Sequence, residues 1–499
     1  MRFDGYDAIV VGTGFGSCAC ALALAEKGLR VLVLERGDWA KRDATDWDSH
    51  AILIEKRYRG MSPLLVKQYK DTHFKEMVEN EVVGGMSVFY GGASLRLREA
   101  DFDDWPIVYA DLAPFYDMAE KLLEVHGVAG EDPFEPPGIG GYPFAPSDLT
   151  VPAQRIKLAG QKLGLKPFRI PMAINFSNAV RTLCIKCLTC DGFPCQIEAK
   201  NDLTQTLLKR AIEAGATLVA GVQVVRVKVD GHCVGSVVCV DRQSKKQFEI
   251  PAPRVVLGAG ALQSPAILLR SELERVSPRD LIGRFLMRHC NAVVAGVFPF
   301  YTNPEKVFHK QVCFSDFYED FRQKEGKAAG VIQDIYTPAP VVLRHFSPLG
   351  LKHVAAFAAQ FMQNLLCIAE DDPQFDNVVR LSDAKDEHGV SRVQITHRYS
   401  RGDQARRDHL VNGAKRILQK AGAWVFHSYL INTFSHAVGT VRMGNDPQHS
   451  VVDSDCRFWG IDNLFVVDGS VFPTSGGVNP SLTIAANGLR VGANMAENF

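Results

Sequence analysis

The chain has 499 residues, of which 46% are hydrophobic, enough for about two to four domains with packed cores. Its 56 Lys and Arg residues are matched by 56 Asp and Glu residues, which argues against a protein that binds nucleic acid or an anionic membrane surface, because those partners select a large positive excess. A local basic patch is compatible with this balance. Twelve cysteines are too few for a fold held together by disulfides.

The N-terminus carries no recognisable signal peptide, because an apolar strand follows the first few residues directly. The sequence therefore predicts a cytoplasmic protein. The most apolar long window, 354–368, contains Gln360, Gln363 and Asn364. We expect no transmembrane segment, while a peripheral membrane contact stays open.

The first forty residues predict a βαβ unit. A buried strand over Tyr6 to Val11 leads into the turn Gly12 to Ser17, a helix over Ala19 to Lys27 and a second strand over Arg30 to Leu34, which ends at Glu35. Such a unit binds a dinucleotide, because the glycines let the backbone approach the pyrophosphate and the acidic residue accepts from a ribose hydroxyl.

The glycine turn departs from the G-x-G-x-x-G pattern at one position. Gly12 and Gly14 match its first two glycines, but Ser17 replaces the third. Because serine is small, we expect the helix to pack closely on the strand despite this change. An ordinary tight turn is the alternative.

The pattern of an apolar strand followed by glycine occurs again in two later segments, Arg254 to Gly260 and Asn463 to Gly469. If both join the first sheet, the nucleotide-binding domain is discontinuous. Residues 285–430 then form the second domain, with strands over Asn291 to Phe298 and Arg392 to His397 and a helix over Asp403 to Ala421. The predicted boundaries are 1–125, 196–284 and 431–499 for the nucleotide-binding domain, 126–195 for a linker with a Cys-rich loop, and 285–430 for the second domain.

Five glycine-rich or polar motifs follow one another along the chain. They are Gly12 to Ser17, Val83-Gly84-Gly85-Met86-Ser87 through Gly91-Gly92, Ala259-Gly260 through Ser264-Pro265, Ser435-His436 through Gly444, and Val467-Asp468-Gly469-Ser470 through Asn479-Pro480 and Thr483. In content and order they resemble the glucose–methanol–choline (GMC) family of FAD-dependent alcohol oxidoreductases, and the resemblance runs from residue 6 to residue 493.

The resemblance implies an α/β fold in which a discontinuous Rossmann-like FAD-binding domain is interleaved with an α+β substrate-binding domain on an antiparallel sheet. It also implies FAD rather than NAD as the cofactor. The implied FAD contacts are Gly12, Gly14, Phe15, Gly16, Ser17, Glu35, Arg36, Gly84, Gly85, Ser87, Gly91, Gly92, Val224, Ala259, Gly260, Ser264, Asp468, Gly469, Asn479, Pro480 and Thr483.

His436 and Asn479 are the catalytic pair that the resemblance implies. Oxidation of an alcohol removes a hydroxyl proton and passes a hydride from the carbinol carbon to flavin N5. Imidazole can accept this proton near neutral pH, and an amide can hydrogen-bond the substrate oxygen.

Some relatives attach FAD covalently through a His after the Gly-Gly motif. Residues 86–90 contain none, so we expect dissociable FAD, with Tyr90 either shaping the substrate pocket or packing.

Four cysteines stand within twelve residues, at Cys184, Cys187, Cys190 and Cys195. Three interpretations stay open: thiols or a disulfide without metal, an iron–sulfur cluster, and zinc. Many members of the family have a similar Cys-rich stretch before an Ala-Lys pair. The resemblance implies that this stretch is a structural loop near FAD rather than a redox centre.

The leading hypothesis is oxidation of a primary or secondary alcohol of sugar, polyol, sterol or secondary-metabolite type. Electrons would pass to O2 or to another acceptor. The alternatives are a dehydrogenase that reduces a quinone or cytochrome, and a non-oxidative flavin enzyme such as a lyase, isomerase or photodecarboxylase.

Overall fold

The computed structural model describes residues 5–68, 71–136, 140–277 and 280–498. Residues 137–139 of the predicted linker lie outside this set. The strands are β1 (Ala8–Val11), β2 (Val31–Leu34), β3 (Leu64–Gln68), β4 (Lys75–Met77), β5 (Phe168–Arg169), β6 (Thr217–Val219), β7 (Val222–Asp230), β8 (Cys233–Asp241), β9 (Gln247–Pro251), β10 (Val255–Leu257), β11 (Ala292–Val297), β12 (Val312–Phe314), β13 (Gly330–Ile335), β14 (Met362–Ala369), β15 (Val378–Lys385), β16 (Ser391–His397), β17 (Val425–Leu430) and β18 (Leu464–Val466). The α-helices are α1 (Phe15–Glu26), α2 (Tyr109–Leu122), α3 (Val151–Gln161), α4 (Leu207–Glu213), α5 (Ser264–Arg270), α6 (Arg322–Glu325), α7 (Pro340–Phe346), α8 (Lys352–Ala358), α9 (Arg401–Ala421) and α10 (Ser481–Glu497).

A parallel five-stranded sheet forms the nucleotide-binding layer, in the order β18-β10-β1-β2-β6. Its central strands β1, β2 and β10 are buried along their whole length, which is why they are written as unbroken apolar runs. The strands come from the start, the middle and the end of the chain, so the predicted discontinuous sheet is confirmed.

Helices α1 and α10 pack closely against each other beside this sheet. A Cβ on Gly488 would lie 2.5 Å from the Gly16 carbonyl oxygen, and one on Gly492 would lie 2.8 Å from the Cβ of Ala23. Small residues on both helices therefore allow this approach, which holds the N-terminus of α1 against the sheet.

An antiparallel six-stranded sheet forms the second layer, in the order β17-β11-β14-β13-β12-β5. One face packs on α3 and α9, and the side chains of Val294, Leu365 and Ile332 belong to that core. The other face carries Val293 and Leu366, which belong to the core shared with the nucleotide-binding layer. The second face therefore turns toward the parallel five-stranded sheet.

Two smaller sheets complete the fold, and one of them joins the two predicted domains. Strand β3 pairs with β16 in the four-stranded order β15-β16-β3-β4, while β7, β8 and β9 form an antiparallel meander. Helix α3 and strand β5, both from the predicted linker, contribute to the second layer. The predicted domain boundaries stay a prediction.

Helix α9 illustrates how local sequence sets an element. It begins with Ser400, whose side chain accepts from Asp403 N while Asp403 accepts from Ser400 N, and it ends at Gly422 in the left-handed region with φ 108°. The predicted helix over Asp403 to Ala421 is confirmed. Within the described ranges, no helix has the length and apolar character needed to cross a membrane.

Candidate active site

The first glycine turn is shaped by close backbone contacts. A Cβ on Gly12, where φ is +90°, would lie 2.6 Å from the Gly258 carbonyl oxygen, and one on Gly16 would lie 1.8 Å from the Val467 carbonyl oxygen. A Cβ on Gly14 would make only an ordinary 3.6 Å contact with Gly258 O. Packing therefore requires glycine at Gly12 and Gly16, while Gly14 leaves open backbone at the N-terminus of α1, where an anion binds favourably.

Glu35 lies at the end of β2 and is tied to this turn. Its Oε2 accepts from Thr13 N at 3.0 Å and from Thr13 Oγ1 at 2.6 Å, and its Oε1 accepts from Gly37 N at 2.7 Å. Burial raises the pKa of this carboxyl. Because Oε1 has one further lone pair, it can accept from a ribose hydroxyl. The open turn and this acceptor together fit the adenosine and pyrophosphate part of FAD.

The other residues predicted to contact FAD form hydrogen bonds, ion pairs or packing contacts with neighbouring parts of the protein. Ser17 Oγ lies 3.2 Å from Val11 O and 3.1 Å from Gly258 O, so the replacement of the third glycine adds a hydrogen bond between α1 and the sheet. Phe15 packs edge-on against Tyr90, with ring centroids 5.3 Å apart. Arg36 forms ion pairs with two glutamates, and Val224 lies in β7, next to a one-residue register shift that ends at Arg226.

The Gly84-Gly85 motif lies directly against the first turn. Gly84 N donates to Thr13 Oγ1 at 2.8 Å. Gly84 has φ of +91° and precedes a short 3₁₀ helix that contains Ser87. Ser87 Oγ donates to Gly84 O at 2.7 Å and accepts from Leu203 N at 3.1 Å, so this side chain stabilises the turn.

Asp468 connects the motif that contains Gly260 and Ser264 with its own motif, because it accepts hydrogen bonds from both. Its Oδ2 accepts from Gly260 N at 2.8 Å and from Ser264 Oγ at 2.5 Å, and its Oδ1 accepts from Ser470 N at 2.8 Å. Ser264 Oγ also accepts from Ala259 N at 3.1 Å. Burial raises the pKa of Asp468, and three protein donors satisfy the carboxylate.

The segment that contains His436 runs alongside the fifth motif. Gly439 N donates to Gly469 O at 3.0 Å, and Val441 N donates to Ser470 O at 2.8 Å. These backbone hydrogen bonds bring the two halves of the C-terminal motif together.

His436 is held by a second histidine, His289. The two Nδ1 atoms lie 2.8 Å apart and the rings meet edge to face, with centroids 5.0 Å apart. His289 Nε2 lies 3.1 Å from the Ser475 carbonyl oxygen and 3.0 Å from that of Gly476. Carbonyl oxygens only accept, so His289 carries its proton on Nε2 and accepts at Nδ1. His436 therefore donates from Nδ1 and keeps an unprotonated Nε2.

Both histidines are kept neutral by their surroundings. Burial lowers the pKa of His289, against the opposing effect of the Asp371 carboxylate. Burial also lowers the pKa of His436 well below its ordinary value, and the positive charge of Lys310 lowers it further. Among the described residues, His436 Nε2 has no hydrogen-bond partner. This atom is thus a free proton acceptor.

Asn479 is oriented by a residue of the antiparallel sheet. Gln333 Nε2, in β13, donates to Asn479 Oδ1 at 2.8 Å. The Nδ2 group of Asn479 is then available as a donor to a substrate oxygen. Pro480, the next predicted residue, lies directly before α10. Thr483 lies in the first turn of this helix, and its Oγ1 is 2.7 Å from the Tyr116 hydroxyl.

Three buried amide oxygens on this face of the sheet have no hydrogen-bond partner among the residues that the structure describes. They are Asn291 Oδ1, Gln333 Oε1 and Asn364 Oδ1. Asn364 pairs with Ala295 and Ile335 in neighbouring strands, and Asn291 lies two residues before Val293, so alternation puts all three on one face. Buried polar groups are normally satisfied, so these three orphan acceptors need hydrogen-bond donors that the described residues do not supply.

Lys310 is a buried cation near His436. Its Nζ lies 3.2 Å from Asp191 Oδ2, and the side chain is 4% exposed. Asp191 also packs on the Gly91-Gly92 segment, where a Cβ on Gly91 would lie 1.9 Å from Asp191 Oδ1. At Gly92, φ is +84°. Gly91 thus makes room for the loop that carries Asp191, while Gly92 adopts the left-handed conformation and lies against Ile174.

The Cys-rich loop is held in place by Lys200. The Nζ of this buried residue donates to the carbonyl oxygens of Val88 at 3.2 Å, Cys190 at 3.0 Å and Phe193 at 2.8 Å. These bonds clamp the loop against the Gly84-Gly85 turn, a structural role in agreement with the family pattern.

The metal interpretations of this loop gain no support from the structure. Cys184, Cys187, Cys190 and Cys195 are free thiols. Across the described residues, no three His, Cys, Asp or Glu side chains are placed to hold a metal ion. Burial raises the pKa of Cys184 to about 11 and also raises that of Cys190, which favours the protonated thiol over the thiolate that a metal requires.

Sequence reasoning did not identify His289, Gln333 or Lys310 as part of this site. All three are buried, and none belongs to a recognisable motif. One signal was present for His289: it lies two residues before the predicted strand over Asn291 to Phe298, in the short polar stretch Arg288-His289.

Comparison with known proteins identifies relatives over the whole chain. Family models described as GMC oxidoreductase match residues 6–291 and 373–488. Paromamine 6'-oxidase from Streptomyces fradiae is 32% identical over 97% of this chain and 90% of its own length, and 2-methyl-1,2-propanediol dehydrogenase from Mycolicibacterium austroafricanum is 27% identical over 99% and 96%.

A similar fold is found in a solved structure of pyridoxine 4-oxidase from Mesorbium loti. It superimposes with a TM-score of 0.70 at 20% identity, over 99% of each chain. Because the two family models together cover most of the sequence, and a relative above 30% identity spans nearly all of it, the chain belongs to the GMC oxidoreductase family.

Proposed function

We propose that this GMC oxidoreductase oxidises the CH–OH group of a polyhydroxylated or aminated alcohol, with His436 as the proton acceptor. The family membership implies FAD and action on CH–OH groups. The observation that carries the catalytic assignment is the His289–His436 contact, because it fixes the tautomer that leaves His436 Nε2 free.

His436 and Asn479 divide the work on the substrate hydroxyl. His436 Nε2 accepts the hydroxyl proton, and the resulting imidazolium still donates from Nδ1 to His289. Asn479 Nδ2 donates to the substrate oxygen, since Gln333 already occupies its Oδ1. Holding the oxygen at two points orients the carbinol hydrogen. Bound FAD supplies the acceptor for the hydride of that carbon.

We also propose that FAD is held without a covalent bond, by the first glycine turn, Glu35 and the Gly84-Gly85 turn. Support comes from the open backbone at Gly14 and from the free lone pair of Glu35. Residues 86–90 contain no histidine that could attach the cofactor. Release of free FAD on denaturation in acid would test this assignment.

The substrate class follows from the orphan acceptors. A substrate rich in O–H or N–H groups satisfies Asn291, Gln333 and Asn364, whereas a hydrocarbon chain or sterol nucleus leaves each oxygen buried and unpaired, at about 1–3 kcal/mol each. We therefore favour polyols and amino sugars over long-chain alcohols and sterols. The substrate named for the relative from Streptomyces fradiae, paromamine, agrees with this choice.

The catalytic assignment is tested by anaerobic flavin reduction against a panel of sugars, amino sugars, sterols and simple alcohols. We expect His436→Ala to slow reduction by about 10²- to 10⁴-fold while FAD content stays unchanged. His449→Ala is the control, because that side chain is exposed and bonds only Asp446. Equal rates in the two variants would show that His436 is not the base.

The substrate class is tested with Asn364→Leu, which removes one orphan acceptor at similar volume. We expect KM to rise about tenfold for a polyhydroxylated substrate, the effect of one lost hydrogen bond, and to stay unchanged for a monohydric alcohol of equal size. Gln448→Leu, at an exposed amide, is the control. An equal change for both substrates contradicts the class.

The electron acceptor divides two candidate activities. Peroxide formed in air with substrate indicates an oxidase, and turnover only with a quinone or dye indicates a dehydrogenase.

We further propose a cytoplasmic location, which agrees with twelve cysteines that are all unpaired.

A further inference from the structure

A helical hairpin projects from the antiparallel sheet between β13 and β14. It consists of α7, α8 and the short 3₁₀ helix Ala359–Phe361, and we call residues 340–361 the apolar hairpin. Its large apolar side chains point into solvent: Leu349 is 91% exposed, Phe346 68% and Phe357 64%. Single exposed apolar residues are common, but a cluster of this kind marks an interaction site.

Few residues of the apolar hairpin are buried against the rest of the molecule. Val342 is the buried residue of α7, which packs beside residues 50–54, and α8 has no buried residue within its described span. The hairpin is therefore not part of the buried core, and its apolar side chains are largely exposed to solvent.

Aromatic contacts extend this surface toward the sheet. The ring centroids of Phe357 and Phe361 lie 5.4 Å apart, and those of Phe361 and Tyr301 lie 5.0 Å apart. Tyr301 is 56% exposed, so the exposed aromatic surface continues beyond the apolar hairpin.

The charge of the apolar hairpin has a single sign. From residue 335 to residue 369 the chain contains no Asp or Glu, although acidic residues make up 56 of the 499 in the whole chain. The same stretch carries Arg344 and Lys352, together with His345 and His353. Cationic side chains beside exposed Phe and Leu are the combination that binds a negatively charged lipid surface.

We propose that the apolar hairpin docks this enzyme peripherally on an anionic lipid bilayer. Phe346, Leu349 and Phe357 enter the boundary between headgroups and acyl chains, while Arg344 and Lys352 lie at the lipid phosphates. The near-zero net charge of the chain does not oppose this, because the attraction acts within about 10 Å, over the local patch. Among the possible occupants, an anionic bilayer fits the unmixed positive charge better than a second copy does, since two identical basic patches repel.

The test is co-sedimentation of the full-length, FAD-loaded enzyme with phosphatidylcholine vesicles, with and without about one third phosphatidylglycerol. We expect binding to the anionic vesicles that weakens as salt is raised. Leu349→Ser and Phe357→Ser should each weaken partitioning about tenfold, and Arg344→Gln and Lys352→Gln about fivefold each. Val180→Ser is the matched control, because Val180 is 92% exposed outside the apolar hairpin.

Melting temperature and activity on a water-soluble substrate should be unchanged in all five variants, since none of these side chains lies in the active site. Absence of vesicle binding, or binding that the four hairpin variants leave intact, overturns the proposal. A molecular mass of two chains by light scattering, reduced to one by Leu349→Ser and without vesicle binding, assigns the surface to a second copy instead.

Discussion

The nucleotide-binding layer and the catalytic face of the antiparallel sheet are built on different principles. In the first, backbone shape dominates: Gly12 and Gly16 are required because a Cβ would meet the carbonyl oxygens of Gly258 and Val467, which directly follow β10 and β18. In the second, side chains meet from distant parts of the chain, as where His289 contacts His436.

This difference governs what each region can tolerate. Backbone contacts at Gly12 and Gly16 leave no room for one added methyl group, so substitutions at these two positions act on folding. Side-chain contacts on the catalytic face hold amides and imidazoles in position, so substitutions there act on rate and specificity while the fold remains.

The largest effect is expected from one methyl group in the nucleotide-binding layer. Gly16→Ala puts a Cβ 1.8 Å from Val467 O, and because that atom is backbone it cannot move aside. We expect the free energy of unfolding to fall by about 3 kcal/mol or more, with loss of soluble holoprotein. Denaturant unfolding measures the change.

Gly14→Ala is the matched control two residues away. Its Cβ would lie 3.6 Å from Gly258 O, so the fold should stay within about 1 kcal/mol of the parent. The added methyl stands where the backbone approaches the pyrophosphate, and we expect the Kd for FAD to rise about tenfold. Equal loss of stability in both variants would contradict the steric account.

The same contrast explains what the sequence could predict. The βαβ unit, the discontinuous parallel sheet and helix α9 depend on local patterns, and all three were predicted. The partnership of His289 with His436 spans 147 residues and depends on how two layers pack, as does that of Gln333 with Asn479. No local pattern encodes such a contact, so the orientations of His436 and Asn479 could not be predicted from the sequence.

A smaller effect is expected from His289, which we assign as a positioning residue. His289→Leu removes the acceptor for His436 Nδ1–H, so the tautomer with a free Nε2 is no longer favoured. We expect kcat to fall about 10²-fold, within the range that a correctly placed base provides, with little change in KM. Stopped-flow flavin reduction measures the step.

His289→Gln separates this role from simple packing, since the amide oxygen can accept and the amide nitrogen can donate. We expect it to recover part of the lost rate. If His289→Gln and His289→Leu are equally slow while melting temperatures match the parent, orientation of His436 does not depend on this hydrogen bond.

The smallest effect is a shift in pH dependence controlled by Lys310. Its charge helps lower the pKa of His436, so Lys310→Met should raise that pKa toward its ordinary value. Because His436 must be unprotonated to accept a proton, the acid limb of the kcat/KM profile should move to higher pH, by about one pH unit.

Asp191→Asn separates charge from packing in this prediction. Both variants break the ion pair between Lys310 and Asp191, which spans 3.2 Å, but only Lys310→Met removes the positive charge that acts on His436. The acid limb of Asp191→Asn should therefore stay in place or move to lower pH. If both variants shift the limb upward by the same amount, the cause is disturbance of the Gly91-Gly92 contact. The side chains of the catalytic face would then depend on backbone packing as strictly as the nucleotide-binding layer does.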